Sequence, residues 1–412
     1  MKVPHLVYLL GSAPTARDVG RFGLAYFRDQ GFRVSVFDVA EICHPRIKPS
    51  RDPNFSISGV ELKVVSTLEE LAELGGVLRT ASVIMCFATE GLVKPENTKL
   101  LRLVAHSGRP YVLLRSEAHP APLHEQGKIP LPTRLAQTIK RLRYVKPTHS
   151  VARRLPLKFN GLRPADYVIL GGRRSLATSG LITGHTQPIY GHSQDYDQAL
   201  KIGITPDQIT NSAVFLDQYL PHHRDWQVLK SFPGFDADLY YRRVNRLFAR
   251  IDKELGLKVI IAAHPRADYE KQNPFEGREI VFGRPAELVR ACKLAITVSS
   301  LALNFAVIYD KPLMLISFAE HFSIPEMNPL FRAFSHELGV PYLFLENVET
   351  VDLSAYLKRD ASLYQDYRAN YLVDHQADGL SLWQRVHLGL SEHGLLPAPQ
   401  SGQPNQDNIK HG

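Results

Sequence analysis

Three short polar clusters stand where apolar runs end, and their residue types suit the handling of a phosphate ester. In Ile260-Ile-Ala-Ala-His-Pro-Arg266 the apolar run stops at His264. Pro265 sets the turn and removes one backbone N–H. The imidazole is thereby aimed outward, where it can bond a phosphate or a departing oxygen. Arg266 adds a guanidinium fork. In Leu294-Ala-Ile-Thr-Val-Ser-Ser300 a second run ends in two hydroxyls ahead of a helical pattern. Serine at a helix N-cap satisfies free N–H groups, and those groups with the positive dipole end make an anion site. Asn304 follows on the first turns of that helix, in reach of the loop or of a ligand. The third cluster is Asp217, which ends the run Ala213–Leu216 and is expected to point into a cleft. His-Pro also occurs at His44-Pro45 and His119-Pro120, so the dipeptide selects nothing alone.

Such clusters need strands behind them. The spacing predicts strands at His5–Gly11, Arg33–Asp38, Ser82–Phe87, Pro110–Arg115 and Asp166–Gly172, with helices over Ala16–Gln30 and Asn97–His106. The pattern restarts with strands at Ser212–Leu216, Leu257–Ala263, Glu279–Phe282, Leu294–Val298 and Pro312–Ile316. Helices are predicted between them at Ala237–Leu255, Pro285–Cys292 and Leu301–Tyr309. Strands apolar on both faces and alternating with helices indicate parallel sheets covered on both sides. The expected fold class is α/β, with two Rossmann-like doubly wound domains facing a cleft. The expected units are residues 1–180, a linker at 181–210, a second domain at 211–392 and a disordered tail at 393–412. Neither half carries GxGxxG or a Walker A lysine loop, which argues against a dinucleotide dehydrogenase or a P-loop NTPase.

The 412 residues are 44% hydrophobic and 22% charged, an ordinary globular balance. That excludes wholesale disorder, a fibrous rod and a polytopic membrane protein. Three cysteines cannot make a disulfide framework, and a reducing, cytoplasmic compartment fits them. Charge is uneven: the net is +11 over residues 1–200 and −3 over the rest. Residues 126–165 hold ten Lys and Arg and no Asp or Glu. Within them Leu135, Ile139, Leu142 and Val145 recur at helical spacing, which suits a helix lying on the anionic inner membrane face. No nucleic-acid-binding signature accompanies this charge.

The stretch from Phe215 to Ile316 resembles the nucleotide-binding half of GT-B glycosyltransferases that use CMP-activated sugars. His264-Pro265 matches the HP motif of the bacterial sialyltransferase-like members, and Ser299-Ser300, 35 residues on, matches their SS/ST motif. This resemblance implies a CMP-sugar as donor substrate, with His264, Pro265, Arg266, Ser299 and Ser300 around its phosphate. It further implies Phe282 and Gly283 beside cytosine and Glu287 near the ribose. The segment Phe215–Asp225 is similar to the retaining β-Kdo transferases of lipopolysaccharide, O-antigen and capsule synthesis, which implies Asp217 as nucleophile. Kdo is therefore the favoured sugar, and a glycan, lipid-linked or free, the acceptor.

Inverting relatives carry two acids and a glycine in the first domain, and here only Thr89-Glu90-Gly91 approaches that pattern. One alternative is thus inverting transfer with Glu90 or Glu117 as base; both are also candidates to orient the acceptor hydroxyl, and Asp195 and His192 are candidates to line the cleft. Another is a non-catalytic protein whose basic face grips an anionic polymer. No cofactor or metal is expected, because a CMP ester has no diphosphate for a cation to bridge. Asp195-Tyr-Asp197 and Asp236-Ala-Asp238 have the DxD form, but about one such match arises by chance at ordinary composition.

Overall fold

The computed structural model describes residues 3–45, 48–115, 119–120, 157–175, 180–205, 208–223, 235–322, 324, 327–374 and 379–399. Two sheets organise them. The first contains β1 (His5–Leu10), β2 (Arg33–Asp38), β3 (Glu61–Val64), β4 (Val83–Phe87), β5 (Tyr111–Arg115), β6 (Tyr167–Leu170) and β7 (Gln187–Tyr190), in the order β3-β2-β1-β4-β5-β6-β7. The second contains β8 (Ser212–Leu216), β9 (Lys258–Ala263), β10 (Ile280–Phe282), β11 (Leu294–Thr297), β12 (Leu313–Ser317) and β13 (Tyr342–Phe344), in the order β10-β9-β8-β11-β12-β13. Every strand pairing in both is parallel.

Sequence explains the parallel arrangement. β1 is buried at all six positions and β12 at all five, so each needs cover on both faces, which crossover helices supply. One apolar cluster fills the second domain, and two others line opposite faces of the first sheet. Strand order reverses beside β1, toward β4, and beside β8, toward β11. Connections leaving in opposite directions open a crevice at the C-terminal strand ends there, the usual ligand position in doubly wound sheets.

Two expected boundaries differ. The expected linker, residues 181–210, contains β7, the edge strand of the first sheet, and a helix, Gln194–Ile202. β7 is short and carries Pro188, which only an edge position accommodates; the helix buries Tyr196 and Ala199 in the second core. At the other end, Leu382–Glu392 belongs not with the second domain but with the first, where Leu382, Trp383, Val386 and Leu390 join the core against β7 and its neighbours. Trp383 Nε1 donates to the Gly20 carbonyl at 3.1 Å. Gly23 has φ of 67°, and a Cβ there would lie 2.4 Å from the Trp383 ring.

The chain crosses between domains twice, side by side. His192 bridges Val373, and the Ser193 N–H donates to the Leu372 carbonyl at 2.7 Å. The expected disordered tail begins in order: Leu396 is buried, and Pro397 O lies 2.9 Å from His387 Nε2. Residues 400–412 lie outside the described residues.

Most of the basic stretch, residues 126–156, also lies outside the described residues, and with it the expected membrane-facing helix. Arg163, at its end, pairs with Asp166 at 2.6 Å and stacks over the Tyr111 ring. Its charge therefore serves packing. Among the described residues no helix is long and apolar enough to cross a membrane. The three cysteines are free and buried.

Candidate active site

Asp217, His264 and Ser299 follow β8, β9 and β11, three neighbouring strands at the second domain's reversal point. Asp217 is only 5% exposed. Its Oδ1 accepts the Tyr219 N–H at 3.0 Å, and Oδ2 accepts the Tyr269 hydroxyl at 2.7 Å and the His264 N–H at 3.4 Å. Burial pushes the carboxyl above the usual carboxylate range, and those donors oppose the push. A nucleophile needs an oxygen lone pair open to the anomeric carbon. Asp217, the expected nucleophile, already engages both oxygens within the loops after β8 and β9.

His264 is half-buried, and its Nδ1 accepts the Arg266 N–H at 3.2 Å. A neutral ring accepting at Nδ1 carries its proton at Nε2 and donates from there. The His264 carbonyl accepts the Ala267 N–H at 2.9 Å, closing the turn that Pro265 starts. Burial first, then the neighbouring His223 and Arg266, hold the imidazole below its ordinary pKa. The His223 ring stands 5.8 Å from that of His264. His223 did not figure in the sequence reading; its only signal was proximity in the chain to Asp217. Pro265 and Arg266 are exposed.

Ser299 is fixed by a residue that the sequence did not mark. Gln218, next to Asp217, accepts the Ser299 N–H at Oε1, 2.8 Å away, and approaches Ser299 Oγ with Nε2 at 3.3 Å. Asp217 and Gln218 therefore reach to opposite sides, one to the His264 turn and one to Ser299. Ser300 Oγ accepts the Ala302 N–H at 3.3 Å, and the Ser300 carbonyl accepts the Leu303 N–H at 3.0 Å. The helix itself runs Leu303–Ile308 with Ala302 at its N-cap. Neither serine is the cap that periodicity suggests; both lie in the turn before it, because Ser300 builds that turn with its own backbone and hydroxyl.

The remaining candidates separate into groups. Asn304 is buried, donates from Nδ2 to Asp195 at 2.8 Å and accepts the Tyr367 hydroxyl at 3.1 Å. Asn304 and Asp195 thus tie two helices together. Asp197 faces elsewhere, taking the Leu382 N–H at 2.7 Å with His192 3.1 Å away. Asp236 caps a helix. Among the described residues no group of three or more His, Cys, Asp or Glu is placed to hold a metal. Phe282, 41% exposed, ends β10, and Gly283 follows in the left-handed region at φ 72°. Glu287 sits 3.7 Å from Arg284 and keeps Oε2 buried without a protein partner.

In the first domain a cavity of about 350 Å³ opens where β1 and β4 end. Phe22, Phe87 and Leu92 line it together with Lys94, His44 and Glu90, whose carboxylate is exposed. Glu117 lies outside the described residues.

No protein-family model matches the chain, and no curated protein matches it in sequence. Solved structures do. The calicheamicin glycosyltransferase CalG4 superposes with a TM-score of 0.50 at 14% identity, covering 95% of this chain and 100% of that one. The kitacinnamycin glycosyltransferase does so with 0.50 at 11% identity, covering 96% and 100%. The wall teichoic acid polymerase TagF gives 0.47 at 12% identity over 95% and 90%. With two parallel doubly wound sheets and the two superpositions at 0.50, the chain has the GT-B glycosyltransferase fold.

Proposed function

We propose that the protein is a glycosyltransferase that moves a sugar acid from a CMP-activated donor, Kdo being favoured, to a hydroxyl of a bacterial surface glycan. One observation carries this reading: adjacent residues Asp217 and Gln218 hold the His264 turn and Ser299 on either side of β8. The ends of β9 and β11 are two strand spacings apart, about 10 Å. His264 and Ser299 stand on either side of that gap. A nucleoside monophosphate ester suits such a site better than a diphosphate.

The donor's phosphate accepts from His264 Nε2, from the serine hydroxyls and from Arg266. As the bond between the anomeric carbon and the phosphate oxygen breaks, negative charge grows on CMP, and these fixed donors stabilise it. The acceptor hydroxyl lies in the first-domain cavity, loses its proton to Glu90 and forms the new bond to the anomeric carbon. This step inverts configuration. The exposed Glu90 and the engaged Asp217 together favour it over the retaining route. Retention through Asp217 is the second reading, supported by the position of that acid beside His264. A lipid-linked acceptor at the inner membrane face fits the positive charge of residues 1–200.

Thermal shift with CMP, UDP and GDP tests the donor. A ligand at a hundredfold its Kd stabilises by about 2.7 kcal/mol, and CMP is expected to raise Tm most. Stabilisation by UDP alone removes the CMP assignment. The anomeric configuration of the product, read by NMR, separates Glu90 from Asp217.

A further inference from the structure

One outer flank of the first domain is set by the helix Thr98–His106. Lys99, Arg102 and His106 stand three and four residues apart, so they share one helix face. All three are exposed, while Leu100, Leu101 and Val104 enter the core. A 3-10 turn, Leu157–Asn160, lies against that face. Arg102 Nε donates to the Asn160 carbonyl at 2.8 Å, and a Cβ at Gly161 would meet His106 at 3.7 Å and Arg102 at 3.8 Å. The Gly161 N–H closes the turn on the Lys158 carbonyl at 3.1 Å, and the Leu162 N–H on the Leu157 carbonyl at 3.0 Å. Phe159 is thus held on a closed turn and is 71% exposed, next to exposed Lys158.

Single exposed apolar residues are common, but this ring is surrounded by charge of one sign. From Asn97 to Arg115 and from Leu157 to Ala165 the chain has no Asp or Glu. Arg109, at the foot of the flank, donates from Nε to the Arg79 carbonyl at 2.8 Å, and Arg163 reaches the Arg109 carbonyl. Carbonyls fix guanidiniums without neutralising them. Asp166, the acid at this edge, is paired with Arg163 at 2.6 Å. Among the described residues no carboxylate pairs with Lys99, Arg102, Arg109 or Lys158. A second copy of the same face would oppose like charges. Single-stranded nucleic acid is met by several stacking aromatics in a groove. One ring standing out of a cationic face matches a lipid headgroup layer instead, where the ring enters the interface and the cations meet phosphates.

We propose that the flank formed by Lys99, Arg102, His106, Lys158 and Phe159 docks on an anionic phospholipid surface. Asn97, the residue before the helix, lines the first-domain cavity. At about 1.5 Å per residue the helix is about 13 Å long, so docking brings the cavity within one short helix of the headgroups. In its link to a lipid-linked acceptor the proposal rests on the function proposed above; the docking itself needs no donor.

Sedimentation of the full-length protein, without nucleotide, with vesicles of phosphatidylcholine alone and of an equimolar mixture with phosphatidylglycerol tests the inference. Partition onto the mixed vesicles only is expected, and less of it at high salt. Lys158→Glu is expected to weaken that partition about tenfold and Phe159→Ser about fivefold, with the melting curve unchanged. Lys253→Glu, the same charge change at an exposed position of the second domain, is expected to stay within about twofold of wild type. Equal binding to both vesicles, no binding, full partition in Lys158→Glu and Phe159→Ser, or an equal loss in Lys253→Glu would overturn the proposal. Retention on DNA or RNA with none on vesicles would do the same. A failed CMP shift with intact vesicle binding would count against the donor reading and leave this one standing.

Discussion

Gln218 grips Ser299 with both ends of its amide, taking the backbone N–H at 2.8 Å and meeting the hydroxyl at 3.3 Å. A side chain from the end of β8 thereby sets the geometry at the end of β11. Removing it by Gln218→Ala frees the serine loop. Each lost hydrogen bond is worth about 0.5–1.5 kcal/mol, so CMP affinity is expected to fall about tenfold while the apo Tm moves little. Isothermal titration beside a melting curve checks this, and unchanged affinity would separate Gln218 from the anion site.

His264 supplies a pH dependence with a definite sign. Its imidazole lies below the ordinary 6.5 because burial, His223 and Arg266 disfavour the charged form. A bound phosphate favours that form, so binding takes up protons, and CMP affinity is expected to rise as pH falls through the imidazole pKa of the complex. The apo protein behaves oppositely: stability from the neutral ring is present above 6.5 and is lost as pH falls through the lower folded value. His264→Gln is expected to flatten both trends. Titration in buffers of different ionisation enthalpy measures the proton uptake directly.

Asp217 has the reverse linkage. Its folded pKa is raised above 3.8 by burial, so its contribution is present below 3.8 and is lost as pH climbs through the folded value. Urea unfolding from about pH 4 to 7 is expected to show a less negative pH slope for Asp217→Asn than for wild type. With the proposed inverting route through Glu90, Asp217→Asn is expected to slow transfer without abolishing it. A glycosyl adduct on Asp217, seen by mass spectrometry, would instead make it the nucleophile.

Glu90→Gln removes the proposed base and leaves the second domain untouched. Transfer is expected to drop by about 10²–10⁴, the usual worth of general-base catalysis, with the CMP thermal shift retained. Near-normal turnover would place the base elsewhere.

The seat of the C-terminal helix in the first domain makes a structural prediction. Gly23→Ala puts a methyl into the Trp383 ring at a left-handed position. Backbone strain and overpacking together cost about 2–4 kcal/mol, visible as a lower Tm or as loosening of the C-terminal helix in hydrogen exchange. An unchanged melting curve would mean that Trp383 can withdraw without loss.

Strand and helix identity was largely legible, because runs such as Leu6–Leu10 and Leu313–Ile316 are apolar throughout and only a doubly covered parallel sheet accepts them. The ends of those runs also identified His264, Asp217 and Ser299 as loop residues at one sheet edge. β7 escaped notice because four residues with one proline carry little periodic signal, and Gln218 because an amide after an acid has no motif. Asp195 and Asn304 each stand near a motif, but that they bond one another could not be read from it, because spacing along the chain does not say which way a helix turns.

Local chemistry along the chain, then, determined which residues end strands and what they can bond, since apolar runs and turn residues act over a few positions. Tertiary packing alone decided that Asp217 faces Tyr269, that Asn304 meets Asp195 and that Leu382–Glu392 returns to the first domain. Those outcomes join residues 52, 109 and more than 190 positions apart. They are set by which buried surfaces fit together, a property no short window of sequence contains.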